Sequence, residues 1–289
     1  MGIEITLGSR SFRGLSVKEL NYFLSQAVEI GISKIDCAPT YGDTEKLIGR
    51  AIAMSSMQEK FRISTKIMRS SNECTHKKPF KSIYKSLTNL KLDQLDIVYF
   101  HGTDLKFIKE ETFVDLFKLV SNGDFQSLGY SGDNQNLEFA LFEKRLTHFL
   151  ITLNIVDQKN LKNISDKNVF IAKRILANHF WRIPGDTKKL NRKEVYRYEI
   201  AEKVQVYRER NSALKLSKVF KSNDDMTEKF LRFASFTPGI NGIVIGTSKF
   251  QNLQFCLESL KKGPLSPEEY LFYKQNWISN SGKDWQSIS

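Results

Sequence analysis

The sequence predicts an α/β protein, a single closed (β/α)8 TIM barrel, on three observations. Short apolar segments alternate with amphipathic helical patterns eight times along the 289 residues, which argues for a parallel sheet. No Pro/Ser-rich linker, internal repeat or low-complexity segment divides the chain, so one closed barrel accommodates all the units. The stretch after the first apolar segment, GSRSFRG at 8–14, is not the GxGxxG expected there in a doubly wound sheet, the alternative parallel architecture. Residues 1–289 are therefore read as one barrel domain, with a long loop at about 176–193 and a C-terminal tail at 264–289.

The elements follow in order. ITLGSR is a short apolar strand ending near Gly8. SVKELNYFLSQAVEIG places Val17, Leu20, Phe23, Leu24, Ala27, Val28 and Ile30 on one helical face, with Ser16 as N-cap and Gly31 as stop. SKIDCA is a strand, TEKLIGRAIAM a helix, FRISTKI a strand and FKSIYKSLTNLK a helix. LDIVYFHG has the continuous apolar character of a buried parallel strand, and ETFVDLFKLVSNG is a helix closed by Gly123. SLGYSG is a short strand, NLEFALFEKR a helix, FLITLN a strand, DQKNLKNISDKN a weak helix or loop, and VFIAKRI a strand. A polar stretch with Pro184 and Gly185 leads to helices at about 201–211 and at DDMTEKFLRFASFT. GIVIG is the eighth strand and SKFQNLQFCLESLK the helix after it; PEEYLFYKQNWI in the tail reads as one more helix.

Bulk properties narrow the function classes. Hydrophobic residues are 40% and charged residues 26% of the chain, ordinary for a soluble domain. No apolar run approaches the roughly 20 residues that span a bilayer, and no secretory pattern opens the sequence. Cys37, Cys74 and Cys256 are odd in number and scattered, so neither a disulfide framework nor a metal site is expected, and the cytoplasm is the expected compartment. The net charge of +12 is spread along the chain. It fits a solvated surface or attraction of a polyanionic small molecule; without a clustered basic patch or a known module, no nucleic-acid partner is expected.

In such barrels chemistry gathers where strands end. Asp36 follows the second strand, with Tyr41 in the next turn; Lys66 follows the third, His101 the fourth, Ser131 the fifth and Asn154 the sixth. Lys173 and Arg174 follow the seventh, and Gly246, Thr247, Ser248 and Lys249 the eighth. Each alone has a bland reading: Asp36 a turn cap, Tyr41 a rim aromatic, Lys66 a snorkelling side chain, His101 a half-buried ring. Together they make a general-acid assembly. A tyrosine hydroxyl titrates near 10, a neighbouring ammonium favours its phenolate, a carboxylate holds that ammonium in place, and a histidine orients a carbonyl oxygen. Such an assembly supplies a proton but no electrons, so a hydride donor is needed, and a nicotinamide is the usual one.

The segments GISKIDCAPTYGDTEKLIGRAI, STKI, LDIVYFHG, SLGYSG and GIVIGTSKFQNLQFCLESL resemble the aldo-keto reductase family, in its short bacterial form, from about Leu7 to Leu260. The resemblance implies a (β/α)8 barrel that binds NADP(H), with NAD(H) the less expected cofactor, and that reduces an aldehyde, ketone or keto-sugar. It implies Tyr41 as proton donor, Lys66 and Asp36 as its tuning pair, and His101 as orienting partner. It places the 2′-phosphate and adenosine half of the cofactor at Gly246 to Gln251, where Ser248 and Lys249 add a hydroxyl and a charge to a helix N-terminus. Several positions depart from the family pattern. Gly132 stands where an Asn follows Ser131, Leu150 where a Gln is common, Lys173 where a ring stacks, Asn252 where an Arg meets the 2′-phosphate, and Phe255 and Cys256 where a polar pair meets adenine. Lys173, Arg174 and Lys249 are expected to compensate by charge.

The leading expectation is thus a carbonyl reductase acting on a small molecule, as a monomer or weak homodimer. A cofactor-binding or sensing protein with little turnover is the alternative, and an unrelated barrel enzyme such as a sugar-phosphate isomerase comes third. The loop at 176–193, with Phe180, Trp181 and Arg182, is either a lid or a surface excursion. The tail with Trp277 and Trp285 either covers the mouth or docks on the barrel wall.

Overall fold

Eight parallel strands pair in sequence order and close on themselves: β1 (Glu4–Gly8), β2 (Lys34–Asp36), β3 (Arg62–Ile67), β4 (Leu95–His101), β5 (Phe125–Ser131), β6 (His148–Thr152), β7 (Val169–Lys173) and β8 (Ile240–Ile245). The computed structural model describes residues 3–67, 77–183 and 195–288, the side chains of 195–200 excepted. Cys74 and the 184–193 part of the long loop lie outside the described residues. No helix among the described residues is long and apolar enough to cross a membrane.

The helices form the outer layer: α1 (Val17–Glu29), α2 (Thr44–Met54), α3 (Lys77–Leu90), α4 (Glu110–Asn122), α5 (Asn134–Ala140), α6 (Val195–Ala213), α7 (Asn223–Ser235), α8 (Phe250–Lys261) and α9 (Pro267–Asn280). Helix α1 begins where its sequence says. The Ser16 hydroxyl accepts from the Glu19 N–H at 3.2 Å, and the Glu19 carboxylate accepts from the Ser16 N–H at 2.7 Å, a reciprocal cap that satisfies two otherwise orphaned donors. Helix α4 stops at Gly123, which takes the left-handed conformation.

The segment after β6, expected as a weak helix or loop, forms only a short 3-10 turn, Lys159–Asn163, and two helices, α6 and α7, separate β7 from β8 as the sequence suggests. One element departs from expectation. Helix α5 ends at Ala140 rather than near Arg145. There the Glu143 carboxylate accepts from the backbone N–H of Arg145, and the Arg145 guanidinium bridges Glu143 and Glu110, so local side-chain bonds replace the next helical turn.

Strand alternation sorts side chains between two cores. One set packs between sheet and helices, where Leu7, Ile35, Ile63, Val98, Phe100 and Leu128 are buried; burying such a side chain contributes roughly 1.5–3 kcal/mol. The other set fills the lumen, where Ile97, Tyr99, Leu150 and Ile171 pack with Val169 and Val244. Leu150, at the position where the family pattern has a Gln, is thus part of the lumen packing. The lumen floor is polar: the Lys34 ammonium lies 2.7 Å from Glu4 and 3.4 Å from Asp96.

Candidate active site

The same alternation brings the site together. Gly8, Asp36 and Ser64 are register partners on β1, β2 and β3, and Lys66 pairs with Tyr99 on β4. Asp36, Lys66, His101, Ser131 and Lys173 therefore sit on lumen-facing positions at or near strand ends, and all line one cleft of about 870 Å³ at the barrel mouth. Thr65 faces the other way, and its hydroxyl donates to the buried Glu45 of α2 at 2.7 Å, which braces β3 beside Lys66.

Lys66 is buried at the centre. Its ammonium donates to the Asp36 carboxylate at 2.5 Å and to the Cys37 carbonyl at 2.8 Å. It lies 5.3 Å from the centroid of the Tyr41 ring and 6.0 Å from that of Tyr99. Burial is the largest influence on Lys66 and opposes its charge, but Asp36, with Tyr41 behind it, outweighs burial and holds the ammonium above its ordinary range. Tyr99 is fully enclosed under Lys66, and burial holds its hydroxyl well above the ordinary range.

Tyr41 ends a 3-10 turn, Pro39–Tyr41, released by Gly42 at φ 69°, a conformation suited to glycine. The turn is clamped from two sides. The Arg13 guanidinium donates to the carbonyls of Tyr41 at 3.0 Å and Thr40 at 3.1 Å, and the Thr44 hydroxyl donates to the Tyr41 carbonyl at 2.6 Å. The Tyr41 and His101 rings meet edge to face, with centroids 6.5 Å apart. Burial raises the Tyr41 hydroxyl above its ordinary pKa, and Lys66 lowers it by less than burial raises it. The simple expectation of a lowered tyrosine is corrected here: burial is the larger influence, and Tyr41 carries its proton at neutral pH. Cys37, next to Asp36, is no nucleophile, because burial, followed by the charge of Glu45, pushes its thiol up to about 12.

The far side of the cleft holds a second pair that the sequence reading did not single out. Asp133, buried, lies 3.1 Å from the Lys173 ammonium and accepts from the Thr152 N–H at 2.7 Å, the Thr152 hydroxyl at 3.0 Å and the Asn160 amide at 2.8 Å. Burial pushes the Asp133 carboxyl up, but Lys173 and these donors outweigh it and hold it below its ordinary range. For Lys173 burial wins, helped by the cations Arg174 and Lys66, and lowers the ammonium despite Asp133. Asp133 was discoverable: it stands two residues beyond Ser131, just outside the strand ends surveyed. After β7 the chain makes a left-handed turn, with Arg174, Ala177, Asn178 and His179 all at φ between 43° and 54°. Such strain persists where the surroundings fix it and clusters at functional sites. Arg174, Asn178 and His179 line the cleft.

Not every expected residue reaches the cleft. Asn154 is buried, but its amide donates to the Arg174 carbonyl at 2.9 Å and its oxygen accepts from the Val156 N–H at 3.0 Å. The side chain is taken up by the backbone and supports the β7 loop instead of facing the mouth. Gly246 lines the cleft, whereas Thr247, Ser248, Lys249 and Asn252 lie beyond it, at the start of α8. The Thr247 hydroxyl ties this corner together by accepting from the Lys249 N–H at 3.2 Å and the Asn252 amide at 3.4 Å. Helix α8 starts without a side-chain cap or an acidic residue in its first turn, a polarity suited to an anion, although the Lys249 and Asn252 N–H groups are already bonded within this corner.

The described part of the long loop packs inward. Phe180 is buried, and the Trp181 ring packs against that of Phe230 of α7, centroids 4.9 Å apart and tilted by 52°. The tail docks at the rim of the mouth, against the loop after β5 that lines the cleft and the segment after β6. Ser287 exchanges hydrogen bonds with the Asn134 side chain at 2.7 and 3.0 Å, and Ser287 and Ile288 donate to the Asp157 carboxylate, both at 2.9 Å.

A barrel with this mouth is the setting for chemistry on a small molecule held by strand ends, and the comparisons say which family has it. The aldo/keto reductase family profile matches residues 4–274; the chain belongs to that family. The uncharacterized oxidoreductase YqkF of Bacillus subtilis is 23% identical over 92% of this chain and 88% of its own length. Among solved structures, an aldo-keto reductase of Bacillus halodurans in its holo form superposes with a TM-score of 0.71 at 17% identity, over 94% of this chain and 91% of that one. One from Klebsiella pneumoniae, in complex with NADPH, gives 0.69 at 16% identity, over 99% and 94%. These likenesses carry the fold.

Proposed function

We propose that the protein is an NADP(H)-dependent reductase of small carbonyl compounds with Tyr41 as general acid. The observation that carries this reading is the buried Lys66 ammonium, held by Asp36 at 2.5 Å beneath the ring of Tyr41. The residues present fit the cofactor. The cleft is roomy and cationic on its β7 side, and it leads by Gly246 to the uncapped start of α8. Ser131, Lys173, Arg174 and Gly246 would hold the nicotinamide half and the pyrophosphate, and Thr247, Ser248, Lys249 and Asn252 the adenosine half. The Klebsiella protein of the same fold was solved with NADPH, which supports NADP(H) as the cofactor. When bound, NADPH supplies the hydride that a carbonyl carbon accepts.

The chain's own residues do the rest. His101 and the Tyr41 hydroxyl receive the carbonyl oxygen. Tyr41 donates its proton as negative charge develops there, and the phenolate left behind faces the Lys66 ammonium, which Asp36 keeps charged and fixed. Arg13 and Thr44 hold the turn so that the hydroxyl stays over the cleft. A positioned acid is worth roughly 10²–10⁴-fold in rate. Tyr41→Phe is therefore expected to lower kcat/KM across a carbonyl panel by about that factor while NADPH still quenches tryptophan fluorescence saturably. Unchanged turnover in this variant would remove Tyr41 from the mechanism. A second reading, a cofactor-binding protein with little turnover, is favoured by the commitment of Lys173 to Asp133 and of Asn154 to the backbone. Tight, slowly released NADPH with no turnover by the unaltered protein would select it.

A further inference from the structure

The cleft lining is one-sided in charge. Among the described residues it carries Arg10, Arg13, Lys66, Lys173, Arg174 and Lys203 against the carboxylates of Asp36 and Asp133. Both carboxylates are engaged, Asp36 by Lys66 at 2.5 Å and Asp133 by Lys173 at 3.1 Å. The positive excess falls in two places. Lys173, Arg174 and Lys203 stand on the β7–α6 side, with the groups assigned above to the cofactor. Arg10 and Arg13 stand on the loop after β1, beside Tyr41.

The β1 side is the one the cofactor reading leaves unused. The Arg10 guanidinium lies 6.0 Å from the centroid of the Tyr41 ring, so that ring has Lys66 near it at 5.3 Å and Arg10 as a second cation. Arg13 and Tyr41 also line a second, outer depression of about 480 Å³ whose ionic lining is Arg13, Lys46, Arg50 and Asp43. Asp43 is paired with Lys46 at 3.1 Å, so this depression too keeps a positive excess. A carbonyl group presented to Tyr41 thus has its remaining atoms running out between cations.

We propose, on the basis of the reductase reading above, that the substrate is a small carbonyl compound carrying an anionic group, a phosphate or a carboxylate, a few bonds from the carbonyl, and that Arg10 is the specificity-determining residue that meets it. Guanidinium groups pair with either anion through two parallel N–H donors. Loss of a charge-assisted hydrogen bond in a partly buried site is worth tenfold or more in affinity, on the order of the 1.5–3 kcal/mol such bonds contribute.

The test uses matched aldehydes that differ only in the anion: glyceraldehyde 3-phosphate against glyceraldehyde, and succinic semialdehyde against butanal. The unaltered protein is expected to show kcat/KM about tenfold or more higher for the charged member of at least one pair, and which pair responds identifies phosphate or carboxylate. The preference is expected to shrink as salt is raised. Arg10→Gln is expected to collapse the charged-to-neutral ratio, chiefly through KM, and Arg10→Lys to restore part of it, with the NADPH dissociation constant moving less than twofold in either variant. Equal use of the neutral members overturns the proposal while leaving the reductase reading intact. A weakened NADPH affinity in Arg10→Gln with an unchanged ratio also overturns it, by assigning Arg10 to the cofactor. No turnover of any member by NADPH-saturated protein removes the reductase reading itself, and the proposal with it.

Discussion

Gly132 is small because its neighbour is large. A Cβ placed on it would come within 2.5 Å of the Tyr130 ring, and that ring is anchored by a hydrogen bond from its hydroxyl to the Thr103 carbonyl at 3.0 Å. An Asn here, as in the family pattern, has no room unless Tyr130 moves. Gly132→Asn is therefore expected to destabilise the protein by about 1–3 kcal/mol, the usual cost of overpacking, seen as a lower denaturant midpoint with an unchanged slope. An unaltered midpoint would show that Tyr130 yields freely. Residue by residue, the site was legible where strand parity and strand ends coincide. Asp36, Lys66 and His101 follow from alternation alone, because side chains two apart share the lumen. Asp133 and Arg10 escaped notice because they stand in loops, where no period says which way a side chain turns. Asn154 kept its parity, but the Arg174 carbonyl took its amide, an interaction that sequence spacing does not encode.

Helices α2 and α3 are locked at Gly49, where an added Cβ would lie 2.3 Å from the Asn89 carbonyl oxygen and 2.7 Å from the Leu90 carbonyl carbon. In an exposed helix Gly→Ala stabilises by about 1 kcal/mol. Against rigid backbone the sign reverses, and Gly49→Ala is expected to destabilise by about 1–3 kcal/mol, measured as a fall in Tm. Because Glu45, one turn earlier, holds both Thr65 on β3 and Asn89 on α3, the same variant is expected to lose activity beyond its loss of folded protein. A raised Tm would mean that the two helices can separate at no cost. Element boundaries were readable where caps announce them, as at Ser16 and Gly123. They were readable also after β6, where the polar run Asp157–Asn168 supplies no apolar stripe for a helix to bury and only a 3-10 turn forms, but not past Ala140, where Glu143 and Arg145 bond to each other and end α5 early.

The molecule is tied across its length by a buried charge. Asp157 accepts from Ser287 and Ile288 of the tail and lies 3.1 Å from the Arg210 guanidinium of α6. Burial is the largest influence and raises its carboxyl to about 6 despite Arg210. A folded pKa above the unfolded one makes the native state the better proton binder. The stability this group contributes is thus present below the unfolded value of about 3.9 and declines as pH rises through about 6. Asp157→Asn, which keeps the shape without the charge, is expected to gain in Tm relative to the unaltered protein across that window and to hold a constant difference above it. A difference independent of pH would show that Asp157 does not titrate there. The barrel as a whole was legible because its βα period repeats; this tie was not, because Ile288 and Asp157 stand 131 residues apart. That separation has a consequence for a nascent chain. The loop bearing Asp133 and Asn134 is held within the barrel by Lys173, Thr152 and Asn160, and Ser287 adds the bonds to Asn134, so until the segment after α9 has left a ribosome those last bonds are missing. The strands emerge in the order in which they pair, but this part of the rim gains its full set of bonds only when residues 287 and 288 fold back onto Asn134 and Asp157, after nearly all of the barrel is already in place.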